Sequence, residues 1–242
     1  MPDPAFADPR LAEIYDFVDS DRGDLEVYSA MVEEFGASSI VDIGCGTGTF
    51  ACLLAERGKD VVGIDPAAAS LAVGRSKPHA DRVRWVQGNS HELPAVQADL
   101  VTMTGNVAQV FLDDQDWSET LRAARAALRV DGLLVFEVRD PAQGAWRGWN
   151  REATHRLVGT PAGTVETWYD LTDVNLPFVS FRGTFVFHAN GSVLTSDSTL
   201  RFRDRQEVEA ALVGAGFSVE EVRGAPDRPG KEFVFIARKL GM

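Results

Sequence analysis

The stretch Val41-Asp42-Ile43-Gly44-Cys45-Gly46-Thr47-Gly48-Thr49 decides how this 242-residue chain is read. An apolar run from Ser39 to Ile43 ends in three alternating glycines, and the segment from Phe50 to Arg57 then sets Phe50, Leu53 and Leu54 on one helical face. The pattern is strand, tight turn, helix. Glycines let the turn take dihedrals closed to other residues and leave bare backbone for a ligand, while the free N–H groups opening the helix favour polar or anionic atoms. A second apolar strand, Asp60 to Ile64, ends at Asp65. A carboxylate at the tip of the second strand of a doubly wound sheet can accept from both hydroxyls of a ribose, so the pair of features points to an adenosine-containing cofactor.

Two classes of cofactor suit that arrangement. The dinucleotide fingerprint G-x-G-x-x-G/A fails from Gly44, where its third position falls on Thr49, but Gly46, Gly48 and Ala51 satisfy it. Asp42, two residues ahead of the first glycine, tips the reading the other way: Asp42-x-Gly44-x-Gly46-x-Gly48 resembles motif I of the class I S-adenosylmethionine (SAM)-dependent methyltransferases. The resemblance continues through Asp65-Pro66, through Gln87-Gly88-Asn89 after the strand Val83 to Val86, and through the fourth-strand segment Ala98 to Met103. Leu128 to Phe136 resembles the family's helix end and fifth strand, and Ala215-Gly216-Phe217 with Ser218 to Val222 its last helix, glycine stop and sixth strand.

That resemblance implies an α/β fold: a Rossmann-like, seven-stranded, doubly wound sheet with its last strand antiparallel and helices on both faces. It implies SAM as cofactor. Gly44, Gly46 and Gly48 would approach the methionine moiety, Asp42 would fix the turn and reach the amino group, and Asp65 with Pro66 would take the ribose. Asn89 stands where many members carry Asp near the adenine, and Thr104 would offer backbone to the methionine end. Tyr15 and Arg22, near the first helix, would close over the cofactor and meet its carboxylate; core packing and a surface ion pair are their plainer roles.

Length and composition agree. With 45% hydrophobic residues the chain can form one main domain, and a chain of this size buries about 70–75% of its unfolded surface. No apolar run approaches the ~18 residues of a membrane helix, and residues 1–10 lack a basic-then-apolar signal pattern, so a cytoplasmic protein without membrane partners is expected. Cys45 and Cys52 lack a histidine partner at metal-ligand spacing; both read as small packing residues, with no metal site. Residues 1–36 hold ten acids against two bases, −8 of the net −12, which repels nucleic acid. The same segment sets Leu11, Ile14, Tyr15 and Val18, then Tyr28, Met31, Val32 and Phe35, at helical spacing, giving two amphipathic helices with acidic outer faces.

The chain therefore divides into an N-terminal helical cap (1–36), a SAM-binding core (37–140 and 204–242) and an insertion (141–203). A helix after Asp113-Asp114 runs through Trp117, Leu121, Ala124 and Leu128 to Gly132 and the strand Leu133 to Val138. Within the insertion, Thr154 to Val158, Thr164 to Val174, Phe178 to His188 and Ser192 to Phe202 read as strands of an antiparallel lid over the cofactor's methyl end. Asn190-Gly191 signals a two-residue hairpin, and Asp204-x-x-Glu207 an N-cap with a reciprocal Glu that restarts the core.

Methyl transfer needs alignment more than proton transfer. Orientation supplies ~7–11 kcal/mol, against ~10²–10⁴-fold, about 3–5 kcal/mol, from a general base. No residue stands out as that base. Asn106 and Gln109 after the fourth strand, and Arg139 with Asp140 at the end of the fifth, lie at the carboxyl edge where open α/β sheets bind ligands. Arg139 would grip a carboxylate or phosphate, or form an internal ion pair. Trp149 and Tyr169, with Trp146 and Trp168, would wall an apolar pocket or pack the lid; His155, a substrate candidate, His188 and His91 are the histidines placed to act as a base, ahead of His79. The expected activity is SAM-dependent methylation of nitrogen or oxygen on a small molecule, with a homodimer left open. An NAD(P)-dependent oxidoreductase and a non-catalytic SAM-binding protein are the alternatives.

Overall fold

The computed structural model describes residues 2–94 and 96–241. Three helices open the chain, α1 (Pro4–Ala7), α2 (Pro9–Val18) and α3 (Asp24–Glu34). Helix α2 starts where expected from its chemistry: the Asp8 carboxylate accepts from the Arg10 N–H, and Pro9 occupies a first-turn position that has no use for a donor. The core follows as β1 (Ser39–Ile43), α4 (Thr49–Glu56), β2 (Asp60–Asp65), α5 (Ala68–Arg75), β3 (Val83–Gln87), β4 (Ala98–Met103), α6 (Asp114–Ala127) and β5 (Leu128–Arg139). The short α7 (Arg151–Thr154) leads into β6 (Arg156–Thr160), β7 (Gly163–Asn175), β8 (Phe178–Phe187) and β9 (Ser192–Arg201). Helix α8 (Arg205–Gly214), β10 (Phe217–Gly224) and β11 (Glu232–Lys239) complete the chain.

Seven strands form one sheet in the order β3-β2-β1-β4-β5-β11-β10. Strands β1 to β5 run parallel, and β11 lies antiparallel to both β5 and β10, so the last strand is the reversed one. Because successive strand residues point to opposite faces, Ile40, Leu100, Val135 and Val234 pack under Met31, Val32, Phe50 and Leu54 of α3 and α4. Their neighbours Val41, Met103, Phe136 and Phe235 pack under Trp117, Leu121, Val208 and Leu212 of α6 and α8. Burial on both faces is why these strands read as nearly continuous apolar runs.

Toward the carboxyl edge the alternation breaks on one face only. Where α3 and α4 cover the sheet, the residues after those apolar positions are Asp65, Asp42, Thr102 and Glu137, joined by Glu232 from the antiparallel β11, and all five are buried. A row of buried polar groups across five adjacent strands marks the place where the fold is not optimised for packing alone.

The insertion folds as a four-stranded antiparallel meander, β6-β7-β8-β9. Its Val165, Phe185 and Phe187 pack on Leu11, Ile14 and Val18 of α2, each buried side chain contributing about 1.5–3 kcal/mol. Helix α2 is thus the filling between core and inserted sheet. Outward-facing Arg182 pairs with Asp197 across β8 and β9 at 2.7 Å.

Local differences from the sequence reading have physical causes. Asn190-Gly191 is not a two-residue hairpin: Phe187 pairs with Ser192, leaving a four-residue loop in which Gly191 alone takes positive φ, +70°. That register keeps Phe185 and Phe187 on the face against α2. The helix ending α6 stops at Ala127, and the fully buried Leu128 already pairs with Ala98 as strand, after which Asp131 at φ +62° and a register shift carry the chain to Leu133 opposite Leu100. Six of the cap's ten acids are exposed, Asp3, Asp8 and Asp16 are half-buried, and Asp24 is buried on α3 against Arg22. Cys45 is half-buried rather than buried, Cys52 is buried, and both are free thiols. The capping box at Asp204 and Glu207 forms as read, with Glu207 N–H donating to Asp204 at 2.8 Å and Asp204 N–H to Glu207 at 2.9 Å.

Candidate active site

The loop leaving β1 uses its three glycines for three purposes. All have positive φ, +71° at Gly44, +54° at Gly46 and +72° at Gly48. A Cβ on Gly44 would sit 2.6 Å from a Val107 methyl, and one on Gly48 would sit 2.2 Å from the Trp85 ring, so these two glycines make room for the protein itself. A Cβ on Gly46 would meet nothing within 4 Å. Only there does bare left-handed backbone of the loop face open space. Gly105, just past β4 at φ +75°, presents a second such surface.

Asp65 at the tip of β2 ties the loop down. Its carboxylate accepts the Gly46 N–H at 2.9 Å and the Ala67 N–H at 2.8 Å, and burial pushes its pKa up despite both bonds. Each oxygen keeps a second lone pair for another donor. Asp42 lies deeper. It accepts from the Thr102 hydroxyl at 2.8 Å, bracing β1 against β4, and burial raises its pKa to about 7. Pro66 is exposed beyond Asp65, and the exposed Asn89 caps the short turn Ser90–Glu92, its own N–H donating to Glu92 at 2.7 Å. Thr104 is buried where β4 ends.

The cap meets this loop through α2. Asp16 accepts from the Thr47 hydroxyl at 2.6 Å and pairs with Lys77 at 2.5 Å, and Lys77 donates to the Thr49 hydroxyl at 2.7 Å. No spacing in the sequence foretells this latch. Tyr15, one residue earlier, stacks its ring 5.4 Å from Phe6, and burial, with Asp19 and Tyr169 nearby, raises the pKa of its hydroxyl. Arg22 holds Asp24 through two bonds of 3.1 and 3.2 Å, the ion-pair role rather than a free guanidinium.

At the carboxyl ends of β4 and β5 the structure joins Asn106, Gln109 and Arg139 in one network with two acids that the sequence reading missed. Glu137 is buried at the end of β5, where Tyr28 of α3 and the Asn106 N–H both donate to its carboxylate, and burial pushes its pKa up to about 7. Glu232 of β11 accepts from Asn106 Nδ2 at 3.2 Å and Arg228 at 2.8 Å, with Arg139 3.8 Å away. Arg139 donates to Gln109 Oε1 at 3.0 Å, and Gln109 reaches the Arg201 carbonyl of β9 at 3.4 Å. These contacts make internal pairing, of its two sequence readings, the one formed, and burial lowers the Arg139 pKa. A glutamate inside the apolar run Leu133 to Val138 was the available signal for Glu137. A charge in a strand buried on both faces needs partners.

Aromatic residues border the same edge. Arg139 lies 5.7 Å over the Trp149 ring, Trp149 packs 4.8 Å from Phe181, and Tyr169 meets Phe181 edge-on at 5.5 Å. His155 is set apart. It bonds Glu166 at 2.9 Å on the inserted sheet, where His188 and Arg151 also converge, with no bond into the Asn106 network. His91 pairs with Glu119 and His79 with Glu56, both at the surface. Among the described residues no helix is long and apolar enough to cross a membrane.

Residues 40–132, the segment that builds the glycine loop, Asp65 and the β4 edge, match a family described as a methyltransferase domain. Over that segment the chain is similar to SAM-dependent methyltransferases. Among its relatives, the cypemycin N-terminal methyltransferase of Streptomyces sp. is 29% identical over 147 residues, 59% of this chain and 60% of that one. The chain spans about half the length of the curated relatives it matches. Solved structures extend the likeness of fold across the insertion. Streptomyces venezuelae DesVI superposes with a TM-score of 0.78 at 19% identity, covering 95% of this chain and 98% of that one. CalS10, a SAM-bound amino pentose methyltransferase from Micromonospora echinaspora, gives 0.72 at 22% identity, covering 93% and 96%. The inserted sheet therefore belongs to the shared fold.

Proposed function

We propose that this protein transfers a methyl group from SAM to a nitrogen or oxygen of a small molecule. The observation that carries the reading is Gly46: its left-handed backbone borders open space and is pinned by the same Asp65 carboxylate that would take a ribose. The residues present fit the cofactor. Asp65 has lone pairs left for the two ribose hydroxyls, Gly46 and Gly105 offer backbone without side chains, and Asn89 stands exposed at the edge proposed for adenine. Bound SAM supplies a methyl already activated on a sulfonium. The protein's contribution is then alignment and exclusion of water, worth ~7–11 kcal/mol when the reacting atoms are held in line.

In this reading the cap, latched by Asp16, Lys77, Thr47 and Thr49, covers the cofactor from one side, with Tyr15 toward its carboxylate and Arg22 held by Asp24. The inserted sheet closes the acceptor side with Trp149, Tyr169 and Phe181 as its wall. Glu137 and Tyr28 hold a proton between them beside the acceptor edge, the nearest approach to a general base. The acidic cap argues for a small acceptor over a nucleic acid. We place the enzyme in the cytoplasm, away from membranes, with a homodimer as the assembly to test by light scattering.

Titration calorimetry with SAM, its demethylated product S-adenosylhomocysteine, and NAD tests the reading. Binding of the first two without NAD is the expected result. Binding of NAD without SAM overturns it in favour of an oxidoreductase.

A further inference from the structure

The N-terminal cap, a single unit by sequence, is divided by its packing. Leu25, Met31 and Val32 of α3 share a cluster with Ile40, Phe50 and Val135 of the core. Leu11, Ile14 and Val18 of α2 share theirs with Val165, Phe185 and Phe187 of the inserted sheet. The Ala5 N–H of α1 likewise donates to Ser196 Oγ of β9 at 2.9 Å. Trp146, Val179 and Phe202 form a further cluster within the insertion. Among the described residues no hydrophobic cluster joins α1, α2 or β6 to β9 with the seven-stranded sheet.

Polar bonds cross that boundary instead. Asp16 meets Thr47 and Lys77, Ser70 Oγ donates to the Phe6 carbonyl at 2.9 Å, and Arg201 donates to the Leu112 carbonyl at 3.0 Å. Water can replace such bonds at little net cost, whereas drawing α2 away from Phe185 and Phe187 would expose buried apolar surface. Two parts of a chain that meet through a polar interface move relative to one another by default. The connections allow it. Asp19 to Gly23, between α2 and α3, is exposed apart from Arg22, which bonds Asp24 two positions on. At the return from the insertion Phe202 packs with Trp146, while the next residue, Arg203, donates to the Phe111 carbonyl of the core at 2.8 Å. There the division falls on one peptide bond.

We propose that α1, α2 and the inserted sheet move as one body against the core and part from it at the Asp16–Lys77 seam to exchange the cofactor. This rests on the SAM reading above. Thr47 and Thr49, on either side of Gly48, form the core side of the seam, so parting it uncovers the glycine loop. Closing it brings the aromatic wall of the insertion over the acceptor edge in the same motion. Lys77 is a positioning residue: it is assigned no cofactor contact and acts by holding Asp16.

Electron–electron double resonance reads the motion, with nitroxides on ketone side chains introduced in pairs at Glu13 of α2, Thr195 of β9, and Arg84 and Val213 toward opposite edges of the core, all four exposed. Adding S-adenosylhomocysteine should shift the distances from both Glu13 and Thr195 to the core sites and leave the Glu13–Thr195 distance unchanged. In the ligand-free protein Lys77→Met should broaden the same core distances and again spare Glu13–Thr195. In stopped-flow the variant should release S-adenosylhomocysteine about 3- to 10-fold faster than wild type, the effect of losing a half-buried ion pair with its hydroxyl bonds. Core distances that stay fixed, a shift at Glu13 without one at Thr195, or an unchanged release rate overturns the proposal. Failure of the wild-type protein to bind S-adenosylhomocysteine in calorimetry would instead refute the SAM reading, and the ligand-free comparison of wild type with Lys77→Met would still decide whether the two bodies part.

Discussion

Replacing Glu137 by Gln should make the protein more stable at alkaline pH while changing little at acid pH. Burial raises the Glu137 pKa from 4.5 to about 7 in the folded chain. The folded state therefore holds this proton more tightly than the unfolded state. Stability from this group is highest below about pH 4.5 and is lost as the pH rises through the window from about 4.5 to 7. At 1.36 kcal/mol per unit the full penalty is about 3 kcal/mol, of which about 2–3 kcal/mol accrues between pH 5 and pH 8. Glutamine escapes that penalty. Its oxygen can still accept the Asn106 N–H, and its amide can donate to the Tyr28 oxygen in a reversed bond, so both partners stay satisfied. Urea unfolding of wild type and Glu137→Gln at pH 5 and pH 8 measures the double difference, and Asp42, also raised to about 7, cancels because both proteins carry it. The variant should gain about 2–3 kcal/mol on wild type between the two pH values. An equal effect of the substitution at both pH values would refute the reasoning, since it would mean that Glu137 is ionised in the folded protein throughout.

The glycine loop offers a paired test: Gly48→Ala should cost about 2–5 kcal/mol of stability, from its left-handed backbone and a Cβ 2.2 Å from Trp85, while Gly46→Ala should cost only about 1–2 kcal/mol yet abolish SAM binding. Thermal melts and calorimetry on both proteins separate the two effects, and a Gly46→Ala protein that binds SAM normally removes Gly46 from the site. Asp65→Ala should weaken SAM binding by about 1.5–3 kcal/mol in calorimetry on the folded variant and, by freeing the Gly46 and Ala67 N–H groups, should also lower the melting temperature. Asp204→Ala should cost about 0.5–2 kcal/mol in urea unfolding without touching SAM affinity, because it removes the cap of α8 and no group assigned to the cofactor.

The fold was legible wherever burial imposes a period. Ser39–Ile43 and Ala98–Met103 are strands over the very residues that their apolar runs delimit, and β7 to β9 follow from alternation within a residue or two at each end. Boundaries failed where two patterns overlapped. Leu128 continues the helical stripe of α6, but its side chain serves the sheet, and pairing with Ala98 won. The hairpin at Asn190-Gly191 failed because local turn preference yielded to the register that buries Phe185 and Phe187.

The candidate site was legible at its glycines and at Asp65, where backbone geometry demands particular residues. It was not legible at contacts between segments far apart in sequence. Tyr28 reads as one more apolar residue on α3, yet its hydroxyl reaches Glu137, 109 positions later. Asp16 reads as a solvated acid, yet it latches α2 to Thr47 and Lys77. Arg22 and Asp24 are adjacent enough to suggest a pair, but only tertiary packing shows that the pair is buried. Such contacts carry no period and no local signature, so sequence spacing is silent about them.

The central claim is that the loop after β1 and the carboxylate closing β2 together hold an adenosyl group. A crystal structure of the protein grown with S-adenosylhomocysteine tests it most directly. The account predicts the homocysteine tail against Gly46 and both ribose hydroxyls within about 3 Å of the Asp65 oxygens. A ligand bound elsewhere, or a ribose turned away from Asp65, would contradict it.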